Sequence, residues 1–158
     1  MKRFVTIRTM ILGLTLLLGT LPVSAAERPI AGSGTGTATF ITDEAGNVIG
    51  ANVATTGNAT HLGLFTGSGR VLFAPDPDDP NIVHPSGEAT FIAANGDHLS
   101  IAFENGSQDL TTGIATAEIR FVSGTGRFDG ASGTGQLVVV QNFATGAFEF
   151  TFVGRVNY

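Results

Sequence analysis

Gly124-Thr125-Gly126-Arg127-Phe128-Asp129-Gly130-Ala131-Ser132-Gly133-Thr134-Gly135 repeats glycine at spacings that neither a helix nor an ordinary loop requires. Glycine reaches positive φ without steric cost and lets two backbones approach closely. The run therefore reads as a kinked joint between two strands of a curled sheet, a corner or a bulge. It speaks to architecture and names no chemistry.

Outward from this joint the chain is written in strands. In the C-terminal segment, Phe148, Phe150, Phe152, Val156 and Tyr158 fall on one face, and Glu149, Thr151, Arg155 and Asn157 on the other. Successive side chains of a strand point to opposite sides, so one face is dry and the other wet. Segment 112–122 repeats the pattern, with Ala115, Ala117, Ile119 and Phe121 opposite Thr116, Glu118 and Arg120. Similar alternation, rich in β-branched and aromatic residues, predicts strands at 34–42, 48–56, 61–73, 87–94, 99–105, 133–143 and 147–157. No segment carries a helical period.

The connections Asp43-Glu44-Ala45-Gly46-Asn47, Asn95-Gly96-Asp97 and Ala144-Thr145-Gly146 consist of residues that tolerate turn geometry, which predicts antiparallel neighbours. Pro75, Pro77, Pro80 and Pro85 predict one long irregular connection outside the sheet, lying over one end, because proline has no N–H to give to a ladder. About eight antiparallel strands in a small domain form either a closed barrel or a two-sheet β-sandwich. Alternation is the same in both.

The N-terminus reads as an export signal. Lys2, Arg3 and Arg8 are followed by an apolar run from Met10 to Leu18 and by the small-residue cleavage site Pro22-Val23-Ser24-Ala25-Ala26. The run is shorter than the roughly 20 residues of a spanning helix, and no cysteine follows it for lipid attachment. Cleavage after Ala25 or Ala26 divides the chain into a signal peptide, 1–26, and one domain, 27–158, long enough for a single core. The expected location is the periplasm or the medium.

Cleavage removes three of the eight basic residues and none of the thirteen acidic ones, leaving a domain without lysine. Such a surface repels phosphate backbones and anionic lipid, so neither nucleic acid nor a charged membrane surface is an expected partner. The chain has no cysteine, which excludes disulfides, thiol nucleophiles, thiolate zinc sites and iron–sulfur clusters. The phenylalanine stripe of the last strand is also a feature of outer-membrane barrels. Those carry aromatic girdles rich in Trp and Tyr, whereas this chain has no Trp and one Tyr, so membrane insertion is not expected.

The joint at Gly124, Gly126, Phe128, Gly130 and Gly133 resembles the GTGxFxxAxG-type signature of the allene oxide cyclase and dirigent barrel superfamily. His61-Leu62-Gly63-Leu64-Phe65-Thr66-Gly67-Ser68-Gly69 is similar to a stretch of bacterial exported members, most of which have no assigned activity. The likeness extends over 30–158. It implies a small closed antiparallel, calycin-like barrel of about eight strands, a tendency to form homo-oligomers, and an interior either filled by side chains or hollow. Named members steer cyclisation or radical coupling of small apolar molecules, but their active-site positions find no counterparts here residue by residue.

Chemistry-bearing residues are few. Asp76, Asp78 and Asp79 crowd three carboxylates into four residues, a density that suits calcium, although the glycine turn and distal glutamate of a helix-flanked calcium loop are missing. Each of these aspartates is more simply a solvated, proline-stiffened loop residue. His61, His84 and His98 lack metal-ligand spacing. Glu118 and Arg120 share one face of a strand and form either a polar pair inside a lumen or an exposed surface pair, depending on which face turns inward.

Gly67-Ser68-Gly69 is not a hydrolase nucleophile elbow. Gly32-Ser33-Gly34-Thr35-Gly36, without a helix or a lysine behind it, reads as flexible strand entry rather than a phosphate cradle. The sequons Asn58-Ala59-Thr60 and Asn105-Gly106-Ser107 matter only in a eukaryotic secretory route.

The expectation is an exported barrel, without cofactor, that binds a small apolar ligand or a partner protein. A cyclase or isomerase working in the lumen and a structural envelope protein are the alternatives.

Overall fold

The computed structural model describes residues 26–158, so the expected signal peptide, Ala26 apart, lies outside the described residues. Eight strands follow one another: β1 (Arg28–Thr42), β2 (Val48–Ala59), β3 (Gly63–Pro75), β4 (Ile82–Ala93), β5 (His98–Asp109), β6 (Ile114–Gly124), β7 (Ser132–Gln141) and β8 (Ala147–Asn157). Each pairs antiparallel with the next, and β8 pairs back onto β1 from Arg28↔Val156 to Thr37↔Ala147. The barrel is closed, which decides against the two-sheet sandwich.

The register of the closing seam explains why β1 carries Gly32, Gly34 and Gly36. They stand opposite Phe152, Phe150 and Phe148, respectively. A Cβ on Gly32 would lie 2.6 Å from the Phe152 ring, and one on Gly34 would lie 2.8 Å from the Phe150 ring. An eight-stranded barrel has little more interior than its side chains fill. Three adjacent rings on β8 therefore fit only because the neighbouring strand contributes no side-chain volume. The expected flexible strand entry is instead the middle of a regular strand.

The inward face of the barrel is largely apolar. Phe65, Phe91, Phe103, Phe121, Phe150 and Phe152 are all buried, with Phe91 stacked on Phe152 at 5.9 Å between ring centroids. Burial of each such ring contributes about 1.5–3 kcal/mol relative to exposure. Arg70, Glu88, Glu104, Glu118, Arg120, Glu149 and Arg155 point outward. A membrane barrel has the opposite polarity, with an apolar exterior and a polar lumen. Among the described residues no helix is long and apolar enough to cross a membrane.

Two further segments differ from expectation. Pro85 does not lie in a loop but inside β4, opposite Phe73 of β3. On its other side the β4–β5 ladder is interrupted between Val83 and Gly87, so the missing N–H falls where no ladder bond is required. The irregular connection shrinks to 76–81. Likewise β5 does not stop at Asn105. It passes through a bulge between Glu104 and Ser107, with Asn105 at φ +51°, and continues to Asp109.

The glycine joint links β6 to β7 and closes one end of the barrel. A 3₁₀ turn, Gly126–Phe128, folds the Phe128 ring inward until none of it is exposed, edge-on to Tyr158 at 5.1 Å. Gly126 has φ +60°, and a Cβ there would collide with the Asp97 carboxylate, which instead bonds Arg127 Nε at 2.9 Å. The glycine thus lets the β4–β5 turn dock on the β6–β7 turn.

Candidate functional site

Leu99, Phe128 and Val156 are fully buried beneath the joint and seal that end. Towards the other end the inward residues become small. Ala38, Ala51, Val53, Ala89, Ala115, Ala117 and Val139 leave a cavity of about 110 Å³, with Phe91, Phe148 and Phe150 among its remaining walls. With one end sealed, the cavity communicates with solvent through the end that carries the β1–β2, β3–β4, β5–β6 and β7–β8 turns.

Polar groups in the lining are sparse. Thr55 Oγ1 is buried and has no hydrogen-bond partner among the described residues. Gln108, only 4% exposed, also lines the cavity. Gln141 does too, and its Nε2 donates to the Ala147 carbonyl at 3.3 Å. No carboxylate, imidazole, guanidinium or phenol belongs to this lining.

The lumen placement considered for Glu118 and Arg120 is corrected. Ala117 and Ile119 occupy the inward face of β6, so the two charged residues project to solvent. There they do not pair with each other. Arg120 Nε meets Glu104 at 2.8 Å across the β5–β6 ladder, and Glu118 accepts from Asn105 Nδ2 at 3.0 Å. Both contacts lie on the outer wall.

The calcium reading of Asp76, Asp78 and Asp79 meets a different geometry. Asp76 Oδ1 accepts the backbone N–H groups of Asp78 and Asp79, while its Oδ2 faces His84 Nε2 at 2.9 Å. Asp79 caps Asn81. The Asp76 and Asp79 carboxylates are occupied in shaping their own turn. Among the described residues no group of three or more His, Asp or Glu side chains is arranged to hold a metal.

These turn bonds keep the open end negative. Asp43, Glu44, Asp76, Asp78 and Asp79 lie in its turns, Asp109 ends β5 beside them, and no arginine occupies those turns. The side-chain amide and backbone N–H of Asn47 hold the Asp43 carboxyl below its ordinary range. The backbone N–H of Asp78, then His84, does the same for Asp76, and the Thr111 hydroxyl and N–H for Asp109.

Thr55 and Gln108 were not anticipated from the sequence. Thr55 follows Ala51 and Val53 in the alternation and was visible as an inward residue. Gln108 was not. Leu99, Ile101 and Phe103 are inward at odd positions, and only the bulge at Asn105-Gly106 shifts the phase so that 108 rather than 107 turns in.

No protein-family model matches the chain, and no curated protein matches it. Solved structures do. One pterocarpan synthase dirigent protein superposes with a TM-score of 0.54 at 18% identity, over 84% of this chain and 97% of that one. A second has a TM-score of 0.49 at 17% identity, over 84% and 86%. The protein therefore has the dirigent-type eight-stranded barrel, as the resemblance at Gly124–Gly133 implied.

Proposed function

We propose that this protein is an exported barrel that binds a small apolar molecule in its lumen. The supporting observation is the cavity itself: one end sealed by Phe128, the other open, and walls of alanine, valine and phenylalanine. Apolar pockets with a few placed polar groups are the usual form of a small-molecule site. The export half of the reading rests on the residues before Glu27.

The similar dirigent protein is by name a synthase, which keeps a cyclase or isomerase in view. Such an enzyme needs a group that moves a proton or stabilises developing charge at the reacting atoms. Apart from two glutamine amides, the polar residues of the lining are the threonines Thr55 and Thr116, so confinement and binding fit this lumen better than acid–base turnover. Self-association, the other interaction left open by the sequence, has a candidate surface in the exposed pair Ile114 and Val140 with nearby Val138.

Native mass spectrometry of protein recovered from the exported fraction tests the reading. The expected result is a chain beginning at Ala26 or Glu27 that carries a non-covalent small-molecule adduct, with the adduct lost in Ala117→Leu, where the added atoms fill the cavity. Protein that carries no adduct and also fails to take up benzene added in excess overturns it.

A further inference from the structure

The cavity reading leaves one side chain unexplained. Gln108, a buried side chain, presents an amide, with two donors and an acceptor, to an otherwise apolar chamber. Buried polar groups in native proteins are nearly always satisfied, and leaving one unmade is destabilising. Thr55 Oγ1, in the same chamber, is buried and has no hydrogen-bond partner among the described residues. Apolar walls with these two polar groups match a ligand that is itself mostly apolar and carries one hydroxyl or carbonyl.

Size and charge narrow the class. A chamber of about 110 Å³ is of the order of the apolar cavity that accommodates benzene, so the part of a ligand it encloses is a single ring or an equivalent short chain. The lining holds no cation to pair with an anion. The turns around the mouth carry Asp43, Glu44, Asp76, Asp78, Asp79 and Asp109 and no arginine, with His84 paired to Asp76. A carboxylate ligand would be repelled on approach and then desolvated without a partner.

Resting on the lumen-binding reading, we propose that the chamber takes a neutral single-ring molecule bearing one hydroxyl or carbonyl, with the Gln108 amide reading that group, and that it rejects carboxylates. The acidic rim acts only as a filter. Gln108 is the recognition element, and Thr55 is positioned as a second hydrogen-bonding group.

Calorimetric titration at neutral pH with benzene, phenol and benzoate, on the wild-type protein and on Gln108→Met, tests the proposal. Methionine retains length and removes the amide. The ratio of phenol to benzene affinity is expected to fall ~10-fold in Gln108→Met, with benzene affinity changed by less than about 2-fold. Benzoate is expected to give no measurable heat in either protein.

The outcomes separate the two levels of the argument. If none of the three probes binds, the lumen-binding reading itself fails. If benzene binds but the ratio is unchanged, water satisfies Gln108 and the recognition role is wrong. Benzoate binding as tightly as phenol removes the charge filter. Should Gln108→Met not fold, the wild type still decides: the Gln108 side-chain NH₂ resonances must shift on adding phenol and not on adding benzene, and equal shifts overturn the assignment.

Discussion

The two ends of this barrel are built from the same eight strands and behave as opposites. At the sealed end the turn Gly126–Phe128 inserts a ring, the Asp97–Arg127 pair ties two turns together, and Tyr158 packs edge-on against Phe128. At the open end three turns are capped by their own aspartates and the fourth by Asn142, none inserts a plug, and many of the side chains below them are alanine and valine. Stability is thus concentrated at one end and access at the other. The strands are continuous between the two, so the difference comes from what the turns carry and from the size of the inward residues.

The largest effect of disturbing this contrast is expected at the plug. Phe128→Ala removes a ring with no solvent exposure and leaves a void beside Tyr158 at the sealed end. A loss of about 3–5 kcal/mol in urea unfolding is expected. A loss under about 1 kcal/mol would show that the sealed end does not depend on the ring, and the two ends would no longer differ in kind.

Next comes the seam between β1 and β8. Gly34→Ala pushes a Cβ against the Thr56 carbonyl and to 2.8 Å from the Phe150 ring, an overpacking that costs about 1–3 kcal/mol. Gly46, at φ +85° in the β1–β2 turn, has nothing within 4 Å, so Gly46→Ala meets only backbone strain of about 1–2 kcal/mol. The two variants separate by binding as well as by stability. Displacing the Phe150 ring alters a cavity wall, so Gly34→Ala weakens benzene uptake and Gly46→Ala leaves it unchanged; equal behaviour in both assays would detach the seam from the chamber.

These particulars show which parts of the molecule the sequence displayed. Strand 147–157 and the dry face of 112–122 were readable because alternation records burial directly. Closure was harder, since β1 and β8 lie at opposite ends of the domain and periodicity says nothing about which strand is a neighbour. A signal did exist: Gly32-x-Gly34-x-Gly36 is the volume complement of Phe148-x-Phe150-x-Phe152, and the two sets interlock in register. The chamber was hidden for another reason. It depends on the bulge at Asn105-Gly106 and on Pro85 sitting in a ladder gap, and a one-residue shift of phase has no counterpart in composition.

The smallest expected effect concerns pH at the open end. His84 Nε2 faces Asp76 Oδ2 at 2.9 Å and its Nδ1 faces the Gly106 carbonyl at 2.9 Å, so both ring nitrogens meet acceptors. Only the imidazolium donates from both. The Asp76 carboxylate, and after it the Gly106 carbonyl, raises the His84 pKa above its ordinary 6.5. A raised folded-state value means that the stabilisation is complete below 6.5 and is lost as pH rises through the folded pKa. For Asp76 the sign reverses. Its pKa lies below 3.8, held there by the N–H of Asp78 and by His84, so its contribution is present above 3.8 and lost as pH falls through the depressed value. The clasp between the β3–β4 turn and the β5 bulge is therefore strongest between these limits. His84 is exposed and Asp76 half-buried, and solvent screening keeps the effect slight. Urea unfolding of wild type and His84→Gln is expected to differ more at pH 5.5 than at pH 8.5, with NMR titration placing the His84 midpoint above 6.5. Since the bulge held by Gly106 is what turns Gln108 inward, a pH-independent difference between the two proteins would mean that this histidine does not couple the rim to the chamber wall.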